Sequence, residues 1–533
     1  MKNEKKIFVL ATESVLVAIA IIQLSVLVYF NIKLLGNHMG FDSSWTYLKS
    51  ALIWKEKSLN SPIWTDQTSV FFDSSMILAT LLYGVTGNLF VSYGTANIIV
   101  LALILVAVWK ILDSLNIKRN SRLVAINMII CPYLTNGFNI GNDLGYFNDL
   151  LSGPAFYSLR VLIILIIVFE FIHIKQKKHI DLLGYFSLAL CFLAGTSSGI
   201  FIIIMIFLPY VIYEIEMVLI DNDWNYLKAK ESVYAYLGCI SVIAGKIFAS
   251  KILGIQAIDT SRTWISIEKI WINMGGVFQG LMKLLGVLPI FDTIISVLSR
   301  EGFYRIFPMI ILFIIIISIL FCAKALTKNL LYKDGILLFL INIVVINFIV
   351  FSLFNAQYGE AIFEERYLIS PFIIIVITVA IFFDQTDEKK IFSQLALIGI
   401  IIALAGNNYV SDKKYVGTTN DYWQMDEIAS IVNEQDAQLI YFWGDDINII
   451  GRAMRVYDLD HVYKEINTNG EFYHWGDYLY YEKQEDYSGR TILITPKDTN
   501  IVPENVMNQY VHIQDLDMVS IYRCEGNPIS IKN

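Results

Sequence analysis

The stretch His38–Pro62, HMGFDSSWTYLKSALIWKEKSLNSP, stands between the first hydrophobic segment of the chain and the second. A largely apolar run from Ile7 to Leu35, broken by Glu13 and Gln23, precedes it. A cleaved secretory signal has an apolar core of roughly 7 to 15 residues, and this run is longer. We read it as a retained signal anchor, so the chain has just left lipid when it meets Asp42 in a collar of Phe41, Trp45 and Tyr47.

The whole chain agrees with that reading. Of its 533 residues 56% are hydrophobic and only 17% charged, with a mean hydropathy of +0.56, which a soluble globular domain does not carry. The five cysteines have neither paired nor metal-ligand spacing, which argues against a disulfide framework or a zinc site. A formal charge of −8 with no basic cluster gives no nucleic-acid footprint, so no nucleic-acid partner is expected.

Apolar segments of roughly 20 residues each suffice to span a bilayer as helices, and about eleven are predicted. They lie near 8–34, 74–111, 122–134, 155–174, 182–194, 200–218, 232–250, 304–325, 334–354, 367–383 and 391–406. Lys and Arg are retained on the cytoplasmic side. The connections holding Lys118 and Arg119, Lys175 to Lys178, Lys228 and Lys230, Lys324 to Lys333, and Lys389 and Lys390 are therefore expected inside. That orientation puts the N-terminus in the cytoplasm. Outer loops are then 36–73, 135–153, 251–303 and 355–366. The segment 261–290, with Trp264 and Trp271 among apolar and charged residues, has the pattern of a helix resting on the membrane surface.

After Gly406 the composition turns polar and aromatic. "AQLIYFWGDD" and "GRTILITPKD" read as short strands, and "DYWQMDEIASIVNEQ" has helical apolar spacing. The fold class expected is thus an all-α polytopic membrane protein, residues 1–406, followed by a small extracytoplasmic α/β domain, residues 407–533.

Acids and arginines kept at a membrane boundary are candidates for function, because charge in hydrocarbon is expensive. On the outer side these are Asp42; Asp66 and Asp73; Asp143 and Asp149; Arg262; and Glu360, Glu364, Glu365 and Arg366 in "GEAIFEERYLISP". Each also has a plain structural reading. Asp42 or Ser43 fits the N-cap of a short helix, and Arg366 with Tyr367 fits an interfacial anchor.

The layout resembles the GT-C class of membrane glycosyltransferases, among them the aminoarabinose transferases and protein O-mannosyltransferases, which use lipid-linked sugars. The resemblance rests on an acid after the first helix followed by Tyr47, Ala51 and Pro62, on Tyr83, Gly84 and Gly87 closing the descent, and on Arg366, Tyr367 and Pro371 opening a late helix. Ser74 and Ser75 depart from it, standing where many bacterial members carry paired prolines. The resemblance implies transfer of a sugar from polyprenyl phosphate to a glycan, lipid or protein acceptor at the outer face of the cell membrane. It implies Asp42 as general base, and Arg366, then Arg262, as the guanidinium for phosphate. Asp143 with Asp42 or Asp73 offers the hard oxygen ligands of a magnesium or manganese ion, although no spacing demands one. Trp45, Tyr47 and Trp54 would stack on a sugar or lie in the aromatic belt.

Three other readings compete. A transporter or flippase for lipid-linked saccharide would line its path with polar residues at broken helices, for which "LAGTSSGIF" at 193–201 is the available break. A polysaccharide polymerase or ligase would rely on a large late outer loop. A nonenzymatic assembly protein would use the C-terminal "WGDD" and "HWGD" runs as a binding face.

Overall fold

The computed structural model describes residues 2–38, 41–61, 64, 70–134, 145–255, 264–288, 295–327, 335–354, 364–385, 391–417, 424–472, 489–497 and 500–529, with the side chains of 2–6, 37, 38, 41, 42, 327, 391 and 392 excepted. The first hydrophobic run is helix α1 (Lys2–Tyr29), continued by a π-helical turn over Phe30–Leu34. The quoted stretch forms α2 (Phe41–Glu56), with Asp42 in its first turn. There follow α3 (Met76–Thr86), α4 (Leu89–Ser114), α5 (Arg119–Ile130), α6 (Ser158–Lys177), α7 (Leu182–Ser198), α8 (Leu208–Asp221), α9 (Lys230–Ile247), α10 (Ile267–Leu284), α11 (Arg300–Tyr304), α12 (Ile306–Thr327), α13 (Ile336–Phe354), α14 (Ile369–Gln385) and α15 (Ile391–Gly417).

Among the described residues eight helical stretches are long and apolar enough to cross a membrane, fewer than the eleven segments expected. The other three segments have helices too: α5 and α7 are 12 and 17 residues long, and α6 carries Arg160, Glu170 and Lys175 within its apolar run. The segment expected as one span over 74–111 is two helices. Gly87, at φ 65, ends α3 by donating its N–H to the carbonyl of Tyr83, and the Asn88 side chain accepts from the Val91 N–H to start α4. This Gly-Asn pair is a helix stop and start in two residues.

Helix α14 is the centre of the bundle. Every residue from Ile369 to Phe383 is buried, as expected of a helix that is apolar on all sides. It packs against α5, α6, α12 and α13. Helices α7 and α9 approach more closely than a Cβ permits: one built at Gly195 would stand 2.1 Å from the Val242 carbonyl oxygen, and one at Gly245 2.1 Å from that of Phe192. Small residues at such crossings let the backbones touch. Helix α10 buries Asn273, Val277, Gly280, Leu281 and Leu284 and exposes Ile267, Trp271 and Ile272. Its inner face rests on α13, where Asn273 Nδ2 donates to the carbonyls of Phe351 and Ser352 at 2.6 and 3.1 Å.

The C-terminal part contains α16 (Met425–Glu434), β1 (Leu439–Trp443), α17 (Asn448–Tyr457), β2 (Val462–Ile466), β3 (Thr491–Pro496), β4 (Val511–Asp515) and β5 (Val519–Cys524). The five strands order as β2-β1-β3-β5-β4, the first three parallel and the last two antiparallel. All five residues of β1 are buried, which explains its unbroken apolar run: a parallel strand is covered on both faces. Arg452 and Arg455 of α17 reach the buried Glu465 of β2 at 2.8 and 3.5 Å, fastening helix to sheet. Ile450 and Met454 of α17 belong to one apolar cluster with Leu48 and Leu52 of α2 and with Ile440 and Phe442 of β1. The small domain is therefore packed directly on the helix that begins at the Asp42 boundary.

Candidate active site

The loop Val70–Ser75, between α2 and α3, is held from both ends. Lys49 of α2, buried beside the rings of Trp45 and Phe72 at 5.3 and 5.2 Å, donates to the Val70 carbonyl at 3.2 Å. Phe71 adopts a left-handed φ of 59° and sets its ring against Trp45 and Phe156. Ser74 donates to the Phe71 carbonyl and accepts the Met76 N–H, while Ser75 is bonded to Ser158 at 2.9 Å. Ser74 and Ser75 thus start α3 and tie it to α6.

Between them and the bundle lies Asp73, 0% exposed. Arg160, in the first turn of α6, donates Nε to Oδ2 at 2.7 Å and Nη2 to Oδ1 at 3.1 Å. Ser197 and Ser198, the last residues of α7, donate to Oδ1 and Oδ2, each at 2.6 Å. Burial pushes the Asp73 carboxyl up, but the Arg160 charge and these donors outweigh it and hold the group below its usual range.

Arg160 also leads toward Arg366. Its guanidinium carbon stands 4.8 Å from the Tyr157 ring, and Tyr157 makes an edge contact at 6.4 Å with Tyr367. Arg366 lies beside Tyr367 at 6.0 Å, on the turn Glu365–Leu368 that leads into α14. Its side chain is 29% exposed and is hydrogen-bonded to Glu364. The charges of Glu364 and of the buried Asp149 act on it. Asp149 sits in the turn Phe147–Leu151, which Asn31 grips through the Leu151 carbonyl at 3.0 Å; Asn97 in turn donates to Asn31 Oδ1 and the Gly153 carbonyl. Tyr157 donates its N–H to the Asp149 carbonyl at 2.9 Å. The Asp149 turn, the start of α6 and the Arg366 turn thus meet around Tyr157. Within that group Arg366 keeps solvent access on a planar, two-pronged donor suited to a phosphate.

Several expected residues have other places. Asp73 was expected to bind substrate or a cation; its two oxygens accept four hydrogen bonds from protein donors instead, which fills the lone-pair sites of a carboxylate. It does not fit a metal ligand, and among the described residues no group of three His, Cys, Asp or Glu side chains is arranged to hold a metal ion. Tyr47, expected against a sugar or in the belt, is 0% exposed, its ring tilted against that of Tyr93 with centroids 4.0 Å apart. Trp45 is buried against Trp64 and Phe71. Both sit in the core because α2 is covered by α3, α4 and the small domain. Trp54 covers Gly84, where a Cβ would stand 2.1 Å from the indole. The Asp42 side chain and all of Asp66, Asp143, Arg262 and Glu360 lie outside what the structure describes.

Residues that the sequence reading passed over include Arg160, Lys49, Ser197 and Ser198; Asp149 was among the outer acids it named, with no role given. Arg160 did leave a signal, a lone arginine at the head of "RVLIILIIVFEF". The break expected at "LAGTSSGIF" exists, since α7 ends at Ser198 and Gly199 has φ 64.

No protein-family model matches the chain, and no curated protein sequence does. Solved structures do. ArnT from Cupriavidus metallidurans in the apo state matches with a TM-score of 0.58 over 97% of this chain and 98% of its own, at 9% identity. The same protein bound to undecaprenyl phosphate matches with a TM-score of 0.56 over the same shares, at 8% identity. The fold is GT-C-like. The GT-C-like bundle and its C-terminal sheet domain are both covered by these matches, so the likeness extends over the whole architecture of a multi-pass membrane protein.

Proposed function

We propose that this chain is a membrane glycosyltransferase that moves a sugar from a polyprenyl-phosphate carrier to an acceptor hydroxyl at the outer face of the membrane. The observation that carries the proposal is the ArnT-like fold over 97% of the chain, with undecaprenyl phosphate bound in one of those neighbours. Arg366, a partly exposed guanidinium at the entry to the central helix, supports the same reading. Arg262 is the second candidate for the phosphate.

In the proposed step the acceptor O–H gives its proton to Asp42 and its oxygen bonds to the anomeric carbon. The bond from that carbon to the phosphate oxygen breaks, and the carrier phosphate leaves with the electron pair. A phosphate departs as a stable anion, so no general acid is needed; what the protein supplies is a base and positive charge. One such displacement inverts the anomeric centre. The acceptor is a glycan, lipid or protein hydroxyl, and the setting is cell-envelope synthesis or decoration. If a magnesium or manganese ion takes part, Asp42 and Asp143 are the acids to hold it. The competing flippase reading drew on the break after α7, but the hydroxyls there are spent on Asp73, which favours an anchoring role for that break.

The test is release of labelled sugar from a polyprenyl-phosphate sugar by the purified protein. Asp42→Asn should lower turnover by about 10² to 10⁴, the usual range for a lost general base. Arg366→Gln should weaken donor binding. Full activity in the Asp42 variant removes the base assignment, and no sugar release by any form removes the enzyme reading.

A further inference from the structure

At the end of the bundle away from Asp73, where α1 begins and α4, α6 and α14 end, a cavity of ≈ 280 Å³ opens between helices. One wall is the start of α5, with Lys118 as its N-cap residue and Arg119 in its first position. No side chain caps this 12-residue helix, so its first N–H groups have no partner from the helix itself and its positive dipole end faces the cavity. Ser121, 4% exposed, lines the same wall, and its hydroxyl enters no hydrogen bond among the described residues. The facing wall mixes apolar side chains, Phe8 from α1, Phe383 from α14 and Leu397 from α15, with the polar Thr12, Ser393 and Gln394, all on helices long and apolar enough to span a membrane.

We propose that this cavity binds the phosphodiester headgroup of a membrane phospholipid in the leaflet at the N-terminal end of α1. The phosphate would sit on the α5 N-terminus and the Ser121 hydroxyl, as anions do at helix N-termini. Lys118 and Arg119 add charge, and the acyl chains run along Phe8, Phe383 and Leu397. Two acids are present and are already engaged. Glu13 pairs with Arg119 at 2.8 Å, and Asp384 accepts the Lys118 backbone N–H at 2.7 Å. Both acids are thus offset by these partners.

The experiment is native mass spectrometry of the full chain purified in detergent, titrated with three probes. Phosphatidylglycerol carries both parts, diacylglycerol the chains alone, and glycerol 3-phosphate the phosphate alone. Phosphatidylglycerol should bind, the other two should not at the same concentration, and Lys118→Ala with Arg119→Ala, or Ser121→Leu, should each cut occupancy about tenfold. The double variant changes exposed side chains, so it keeps the test sound if the Ser121 variant fails to fold; unfolding temperature in detergent checks both. Equal occupancy in the folded variants overturns the proposal. Diacylglycerol binding as well as phosphatidylglycerol removes the headgroup, and saturation by glycerol 3-phosphate alone makes the site one for a soluble phosphate.

Discussion

A buried carboxylate with a bidentate arginine has consequences that a surface pair lacks. Removing one partner of such a pair strands the other charge away from water and typically costs about 3 to 5 kcal/mol. Asp73→Asn and Arg160→Met should each lower the unfolding temperature in detergent, and the double variant should lose less than the sum of the two. The pH dependence has a definite sign. The folded Asp73 carboxyl titrates below its ordinary range, so its contribution is complete above the unfolded value of about 4 and is lost as pH falls through the lower folded value. Stability measured against pH should therefore show a constant gap between the wild type and Asp73→Asn from pH 8 to pH 5, narrowing only below about pH 4. A gap that changes near neutrality would mean that the pair is not formed.

Helices show how far the sequence could be read. The strands at Leu439–Trp443 and Thr491–Pro496 and the helix at Met425–Glu434 fall where the apolar patterns put them, because each is a local signal of period 2 or 3.6. The single span expected over 74–111 failed because hydropathy averages across a two-residue stop at Gly87 and Asn88. The roles of Trp45 and Tyr47 were not legible for a different reason: whether an aromatic at a helix start faces a ligand or a core depends on which segments fold back on it. Here Trp64, Phe71 and Tyr93 cover the two rings, and α17 joins Leu48 and Leu52 of the same helix in one apolar cluster. Truncating Ile450 to Ala should cost about 2 to 5 kcal/mol of local packing, and amide exchange in α2 should speed at least tenfold while α12 is unchanged. Unaltered exchange in α2 would show that the small domain does not brace it.

Across the whole molecule, the Arg366 turn, the Asp73 loop and the sheet domain share one end of the bundle, and the α5 cavity lies at the other. We propose from the distribution of Lys and Arg that the former end is extracytoplasmic. In a chain whose native cysteines are replaced, a single cysteine at Glu525, 64% exposed, should react with an impermeant maleimide on intact cells, and one at Lys178, 66% exposed, only after lysis. The reverse pattern would invert the topology and rule out outer-face chemistry. The Asp73 anchor also carries a schedule for biogenesis. Its arginine follows 87 residues later in the chain and its serines 124 and 125. During synthesis the first loop leaves the ribosome with an unmatched carboxylate, which stays hydrated until α6 and then α7 have entered the membrane. The Asp73 end of the molecule is thus sealed from its middle, and α2 waits longer still, for the last quarter of the polypeptide to fold against it.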